Sequence, residues 1–353
     1  MGKEAFWQMD FLKIEDQERW NAFLLEKGGH LLQSYEWGEF KSRFGWRASR
    51  VALEEGGQII AGAQVLVRNL PLGSLAYIPR GPVVDSQEVE ALHELWAQLH
   101  ILARQEGSVF LRLEPDWEGG ERGRLLEREG FHRAPESIQP QSTLAVDIGG
   151  DLESILNQMK PKTRYNIRLA ERKGVVVREG KEEDLGAFYE LLRITGRRDR
   201  FFVHSGRYYL EVWRTFVPQG MGRLFLAFYG DQMLAGLMAF AFGHRAYYLY
   251  GASSDEHRDL MPNYLVQWEA IRWAKERGCL VYDLWGIPDE VGENGEPSDF
   301  AKREGGLWGV YRFKRGFGGR VVRTVGAFDY VYSPLLYWLL MRLERVRSTI
   351  SRL

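Results

Sequence analysis

One run of elements occurs twice in this chain, and that repetition restricts its fold more than any other feature. The stretch Val51-Ala-Leu-Glu-Glu-Gly-Gly-Gln-Ile-Ile-Ala-Gly62 reads as a hairpin, two β-rich runs around a Glu-Glu-Gly-Gly turn. A strand at 75–78 ends at Pro79-Arg80-Gly81-Pro82. A helical period spans 89–104, Gly107 stops it, and an apolar strand at 109–113 leads into Glu114-Pro115. From residue 224 the order returns. Leu224-Phe-Leu-Ala-Phe-Tyr-Gly-Asp-Gln-Met-Leu-Ala-Gly236 is a hairpin turning at Gly230-Asp231, and 246–251 is a strand running into glycine. A helix at 264–277 stops at Gly278, and a strand at 280–284 leads to Gly286-Ile-Pro288. Ala61-Gly62 matches Ala235-Gly236, and Ala103-Arg-Gln-Glu-Gly107 matches Ala274-Lys-Glu-Arg-Gly278. Such matches in one order predict two copies of an α/β unit. A length of 353 residues suits two cores, expected at 1–150 and 151–319, with 320–353 able to pack back on the first.

Composition narrows the partners. A formal net charge of -1 argues against a general nucleic-acid coat, so DNA is not an expected partner and any polyanion must meet a local patch. That patch is Met159-Lys-Pro-Lys-Thr-Arg-Tyr-Asn-Ile-Arg-Leu-Ala-Glu-Arg-Lys-Gly174, where Lys160, Lys162, Arg164, Arg168, Arg172 and Lys173 face one acid, Glu171. Pro161 suits a first helical turn and Gly174 the left-handed position after a last one, which predicts a helix over about 161–173. It is either a solvated face or a surface for a phosphate-rich partner. The single cysteine, Cys279, excludes an internal disulfide and any multi-cysteine metal site. The start of the chain lacks a signal-peptide core, and no apolar run approaches the roughly 20 residues that span a bilayer. A cytoplasmic protein is expected.

The order hairpin, strand, helix, strand resembles the N-acetyltransferase (GNAT) superfold, in which the donor's pyrophosphate rests on a glycine-rich turn opening the central helix. Here the corresponding turn, Arg258-Asp-Leu-Met-Pro-Asn263, has no glycine, which argues against an acyl-CoA donor bound in that manner. More specifically, Lys162-Thr-Arg-Tyr-Asn-Ile-Arg-Leu-Ala-Glu-Arg-Lys-Gly174 resembles the signature of the FemABX family of peptidoglycan interpeptide-bridge aminoacyltransferases. So do Tyr282-Asp-Leu-Trp-Gly-Ile287, Tyr311-Arg-Phe-Lys-Arg-Gly-Phe317, the Trp37 to Lys41 segment and Tyr247-Tyr-Leu-Tyr-Gly-Ala-Ser253. The likeness covers about 30–335. It implies two tandem GNAT-type domains of α/β (α+β) class with a cleft between them. It also implies transfer of an amino acid from aminoacyl-tRNA to a stem-peptide amine, on UDP-MurNAc-pentapeptide or lipid II, without metal or coenzyme. Many members carry a long helical arm; the helical stretches at 185–200 and 208–216 are short, so the chain resembles the armless, FemX-like branch.

Aminolysis of an ester needs a neutral amine, a proton acceptor and a stabilised oxyanion. A lysine-type amine arrives protonated, with a pKa near ~10.4, and Glu114, where the family places a carboxylate, is the expected base. For the oxyanion the resemblance points to Phe313 and Lys314, a lysine within an aromatic stretch where its charge gains strength. The bland alternative is a strand lysine reaching to solvent. Lys41 matches a phosphate-binding lysine of the family, with Trp37 beside it. The second phosphate ligand aligns with Ser205, and Arg207 is the substitute nearby. Tyr208 and Tyr250 are expected along the acceptor groove. The six basic residues from Lys160 to Lys173 are expected to contact tRNA.

Three further stretches carry expectations. The polar segment 289–301 reads as a loop that closes over the site. His93 and His100 share a helix face but have no third ligand, so they are expected at the solvent edge rather than on a metal. The stretch 333–353 begins Pro334-Leu-Leu-Tyr-Trp-Leu-Leu-Met341 and continues with Arg342, Arg345, Arg347 and Arg352. It either docks on the first domain or makes peripheral membrane contact. Alternatives to aminoacyl transfer are an N-acyltransferase with an acyl-CoA or carrier-bound donor, and a non-enzymatic tRNA- or phosphate-binding module.

Overall fold

The computed structural model describes residues 10–84, 89–199, 201–292 and 295–343. Two compact units divide the chain, one holding residues up to Gln141 and those from Thr324 onward, the other Ser142–Arg323. The first sheet runs in the order Asp10–Lys13, Arg47–Glu55, Gln58–Leu70, Gly73–Pro79, Ser108–Glu114, Phe328–Val331, His132–Arg133, with Val83–Val84 paired to Gln58–Leu70. The second runs Arg320–Arg323, Ser142–Asp147, Val281–Gly286, Arg245–Ser253, Gln232–Phe242, Gly222–Tyr229, Val176–Glu179. Both are mixed sheets with one parallel pair among the described strands, Gly73–Pro79 with Ser108–Glu114 and Arg245–Ser253 with Val281–Gly286. A parallel neighbour requires a crossover, and the helices Val89–Gln105 and Pro262–Glu276 supply it. The tandem GNAT-type architecture is present, without a long helical arm among the described residues.

Each crossover helix is amphipathic for a stated reason. Ala91, Leu92, Leu95, Trp96, Leu99 and Ala103 recur at steps of three and four and are buried against Val65, Leu111 and Leu113. Burying each large one stabilises the first unit by about 1.5–3 kcal/mol. In the second unit Leu265, Val266, Trp268, Ile271 and Trp273 fill the same role.

The repeat extends further upstream than the hairpins. Each hairpin follows two helices, Gln17–Glu26 and Tyr35–Ser42 in the first unit, Leu185–Asp199 and Gly206–Phe216 in the second. The paired glycines explain why. A Cβ on Gly62 would meet the rings of Trp20 and Phe23, and one on Gly236 would meet Phe188, so each glycine lets the first helix lie close on the hairpin. The second helices are capped alike: Ser34 Oγ accepts from Trp37 N (3.2 Å) and Ser205 Oγ from Tyr208 N (3.4 Å).

The structure moves the expected boundaries. Ser142–Asp147 does not belong with the first unit, because it pairs with Val281–Gly286 and Arg320–Arg323 in the second sheet. Phe328–Val331 lies in the first sheet beside Ser108–Glu114, in keeping with a C-terminal stretch that packs back on the first unit, while Arg320–Arg323 stays with the second. Arg112 and Asp329, both fully buried, lock that pairing with two 2.7 Å hydrogen bonds.

Candidate active site

In the second unit the parallel pair parts early. Arg245, Ala246 and Tyr247 pair with Val281, Tyr282 and Asp283, and the register then ends, leaving Gly286 paired only to Thr143 on its other side. Lys314 occupies that opening. Its Nζ donates to the Gly286 carbonyl at 2.7 Å and lies 5.7 Å from the centre of the Tyr248 ring. The residue is 5% exposed. Burial brings its pKa from 10.5 down to about 7, while Asp283 nearby works in the opposite direction. Asp283 is itself fixed, accepting from Trp285 N (2.7 Å) and Thr143 Oγ1 (3.4 Å).

Local sequence explains how the amine arrives there. Lys314 closes a helix, Trp308–Lys314, not a strand. Phe313 points the other way, its ring edge-on to Tyr264 and to Phe317 at 5.1 Å each, which clamps the helix end to the crossover helix. Phe313 therefore holds the lysine's backbone. On the facing strand a bulge inserts Leu249 between Tyr248 and Tyr250, which pair with Ala239 and Met238. The two tyrosines then serve different neighbours. Tyr248 lies by Lys314, its hydroxyl so close to Gly251 that no Cβ would fit there. Tyr250 meets Tyr208, hydroxyl to hydroxyl at 3.3 Å, and burial raises both phenols, Tyr208 to about 12.

Tyr208 is also stacked on His204 at 3.8 Å. Ser205 caps the helix, and Arg207 is exposed in its first turn. The segment 289–301 is tied down through Glu296, which accepts from Tyr311 Oη (3.0 Å) and pairs with Arg315 (2.8 Å); residues 293–294 lie outside the described set.

The first unit holds a second buried lysine. Lys41, 5% exposed, has the rings of Trp37, Phe40 and Trp46 at 5.8–5.9 Å. Burial, reinforced by the like charge of Arg68, takes its pKa down to about 7. Arg68, half-buried, lies over the same Trp46 ring at 5.5 Å. Two cations sharing one indole repel unless an anion joins them.

Glu114 stands differently from expectation. Its carboxylate is buried and accepts from Ile138 N, Gln139 N and the Tyr77 hydroxyl, and burial raises its pKa. These bonds take up both oxygens and tie the strand end to the segment 138–139. The geometry is that of a brace rather than of a base open to a substrate amine.

The basic stretch is a helix, Pro161–Arg172, stopped at Gly174 in the left-handed region. Thr163, Asn166, Ile167 and Ala170 are buried, and Lys160, Lys162, Arg168, Arg172 and Lys173 are exposed. Arg164, Arg168 and Arg172, one turn apart each, line a surface cavity of about 340 Å³ with Pro161 and Tyr165. Arg164 differs from the others, because its guanidinium donates to the Met159 carbonyl (2.8 Å) and closes the preceding helix, Leu152–Gln158. The N-terminus of the basic helix packs on the turn after Lys314: Lys160 N donates to Gly316 O at 2.9 Å.

The model of the FemAB family matches residues 16–122, 126–228 and 223–345. The chain belongs to the FemAB family. Curated relatives include the lipid II:glycine glycyltransferase of Staphylococcus aureus (strain MRSA252), 28% identical, the match covering 98% of this chain and 99% of the relative. That alignment runs over 427 positions, more than this chain's 353 residues, so the relative carries added sequence. A crystal structure of FemX superimposes with a TM-score of 0.83 at 26% identity, covering 94% of this chain and 99% of that one. A tandem GNAT protein from the clavulanic acid pathway, 13% identical with a TM-score of 0.56 over 93% and 99% of the two chains, shares the fold. Like the relatives named as glycyltransferases, this FemAB protein is a transferase.

The turn that opens the crossover helix in this FemAB chain, Arg258–Asn263, has no glycine. His257 and Met261 sit in the left-handed region at φ 51 and 57, where glycine is usual, and Pro262 opens the crossover helix without an N–H to offer. Pro262 therefore leaves the helix start with one backbone N–H fewer for an anion. Among the described residues no group of three or more metal-ligating side chains comes together. His93 is exposed beside Glu129, whereas His100 is wedged against Tyr330 and meets the Tyr332 hydroxyl at 2.7 Å, so it is not an edge residue. Sequence reasoning missed Asp283, Tyr248, Trp46 and Arg68. The Tyr282-Asp-Leu-Trp-Gly-Ile287 and Tyr247-Tyr-Leu-Tyr-Gly251 motifs held the first two, but no pattern linked them to Lys314.

Proposed function

We propose that this protein transfers an amino acid from aminoacyl-tRNA to the stem-peptide amine of a diphosphate-bearing peptidoglycan precursor. The observation that carries the reading is Lys314, a buried ammonium held where two parallel strands part. The acceptor amine attacks the ester carbonyl of the charged tRNA, and a C–N bond forms. Negative charge develops on the carbonyl oxygen, and a cation in a water-poor site stabilises it strongly. Collapse breaks the ester C–O bond: the departing ribose oxygen takes a proton from the Lys314 ammonium, and the new amide nitrogen, cationic after attack, returns its own proton to the lysine. With a pKa of about 7, the Lys314 ammonium stabilises charge and passes that proton at little cost.

Lys41 and Arg68 suit the acceptor's diphosphate, and the exposed Lys160, Lys162, Arg168, Arg172 and Lys173 suit the phosphates of tRNA, with Arg164 holding the helix in place. Arg207, Tyr208 and Tyr250 are proposed along the acceptor path, and Trp37 shapes the Lys41 site. The relatives' name favours a lipid-linked precursor over the soluble UDP-linked one. The glycine-free turn at 257–262, with proline opening the helix, speaks against an acyl-CoA donor. Purified protein is incubated with a pool of charged tRNAs and labelled UDP-linked or lipid-linked precursor. Transfer that ribonuclease abolishes supports the reading; absence of transfer to both acceptors overturns it.

A further inference from the structure

The helix Pro334–Arg342 is apolar all round, yet only one side of it is covered. On the inner side Tyr337 packs edge-on to Phe110 at 5.2 Å and donates to Asp329 at 2.8 Å, and Leu340 is fully buried. Asp329 is the partner of the buried Arg112, so the helix is pinned to a fully buried ion pair of the first unit. On the outer side Leu335 is 74% exposed and Trp338 50%, with Leu339 and Leu343 also exposed. These four positions follow the helical spacing of three and four and form one face. A helix without a polar side belongs inside a protein or against something apolar.

We propose that this outer face seats the protein on an anionic lipid surface. Charge selects that occupant. No acid lies between Pro334 and Leu343, and the Arg342 guanidinium rests over the Trp338 ring at 4.3 Å, at the margin of the apolar face. The sequence beyond, Glu344-Arg-Val-Arg-Ser-Thr-Ile-Ser-Arg-Leu353, adds three arginines against one acid; its placement lies outside the described residues. Apolar side chains flanked by tryptophan and arginine match the boundary between acyl chains and anionic headgroups. A second copy of the chain is the other occupant, and the test below separates it from a lipid surface. Among the described residues no helix is long and apolar enough to cross a membrane, so the contact is peripheral. This inference does not depend on the donor or acceptor proposed above.

The test is flotation of the full chain with vesicles of phosphatidylcholine alone or with about one-third phosphatidylglycerol, at low and high salt, with no substrate present. Expected is flotation with the anionic vesicles, weakened by salt and absent with the neutral ones. The double variant Leu335→Ser, Trp338→Ser lowers the bound fraction tenfold or more while its circular dichroism and Tm stay unchanged, because both residues are exposed. Arg342→Gln lowers binding roughly fivefold, the share of one arginine at such a surface. Absence of flotation, or flotation equal in the double variant, overturns the proposal. So does a dimer in light scattering that the double variant disperses while vesicle binding is absent. Because no transfer is assayed, failure here leaves the catalytic reading standing, and the reverse also holds.

Discussion

The two units share a strand order and, among the described residues, each buries one lysine, but the lysines answer different electrostatics. In the first unit the parallel pair stays in register from Leu75 with Phe110 to Pro79 with Glu114, and the strand end is sealed by the bonds to Glu114. Its lysine, Lys41, lies apart from that pair, among aromatic faces, with Arg68 as a like charge. In the second unit the pair opens after Tyr247 and Asp283, and Lys314 enters the gap beside a carbonyl and near a carboxylate. A cation beside another cation is poised for an incoming anion. A cation hydrogen-bonded to a neutral carbonyl, with a carboxylate nearby, suits the proposed role of stabilising charge that develops during reaction. On the proposed reading, one architecture serves binding in one copy and chemistry in the other.

The largest effect that tests this contrast is expected at Lys314. Lys314→Met lowers kcat by about 10³-fold, the scale of a lost oxyanion donor, and leaves the acceptor KM within threefold. The same variant is expected to be more stable at pH 6. In the unfolded chain the amine keeps its proton up to about 10.5, and in the folded chain only up to about 7. Between those values folding releases a proton, so wild-type stability rises with pH. Methionine removes the charge-burial cost, a gain of about 2 kcal/mol at pH 6 that shrinks as pH approaches 10; denaturant melts at both pH values measure it. Equal gains at pH 6 and 10 would break the argument.

Lys41→Met is expected to raise the acceptor KM about 50-fold, the loss of a charge-assisted hydrogen bond, with kcat held within threefold. A fall in kcat instead would erase the distinction between the two lysines. Glu114→Gln sharpens it from another side. An amide cannot accept from Ile138 N, Gln139 N and Tyr77 as a carboxylate does, so stability falls by about 2 kcal/mol, while kcat per folded molecule is unchanged. Loss of kcat at full stability would restore the base. Smallest is the basic helix. Arg168→Glu raises the KM for charged tRNA about tenfold at low salt and lowers the salt slope by roughly one unit. Arg164→Glu is the wrong probe, since it also uncaps Leu152–Gln158.

What the sequence made legible was local. The hairpins, the crossover helices and the basic helix are written in turn glycines, helix periods and the Pro161 to Gly174 boundaries, and the structure places each within a few residues of its reading. The strands that complete each sheet were not legible. Ser142–Asp147 and Phe328–Val331 are short, and their pairing partners lie well over a hundred residues away in sequence. The site shows the same division. Lys314 could be singled out by its aromatic neighbours, but its contact with Gly286, 28 residues earlier, depends on the parting of two strands. Arg68 gave no signal, because its importance arises only from sharing Trp46 with Lys41.

The pairing of Arg112 with Asp329 has a consequence for how the protein is made. The two residues are 217 positions apart, and the whole second unit lies between them. On a ribosome Ser142–Arg323 can emerge and close its own sheet while the first sheet still lacks the strand Phe328–Val331. Until that strand appears, Arg112 lacks its Asp329 partner and the edge of Ser108–Glu114 stands open to other chains. The unit that is translated first is therefore the one that finishes folding last. During that interval it is the part of the nascent protein most in need of a chaperone.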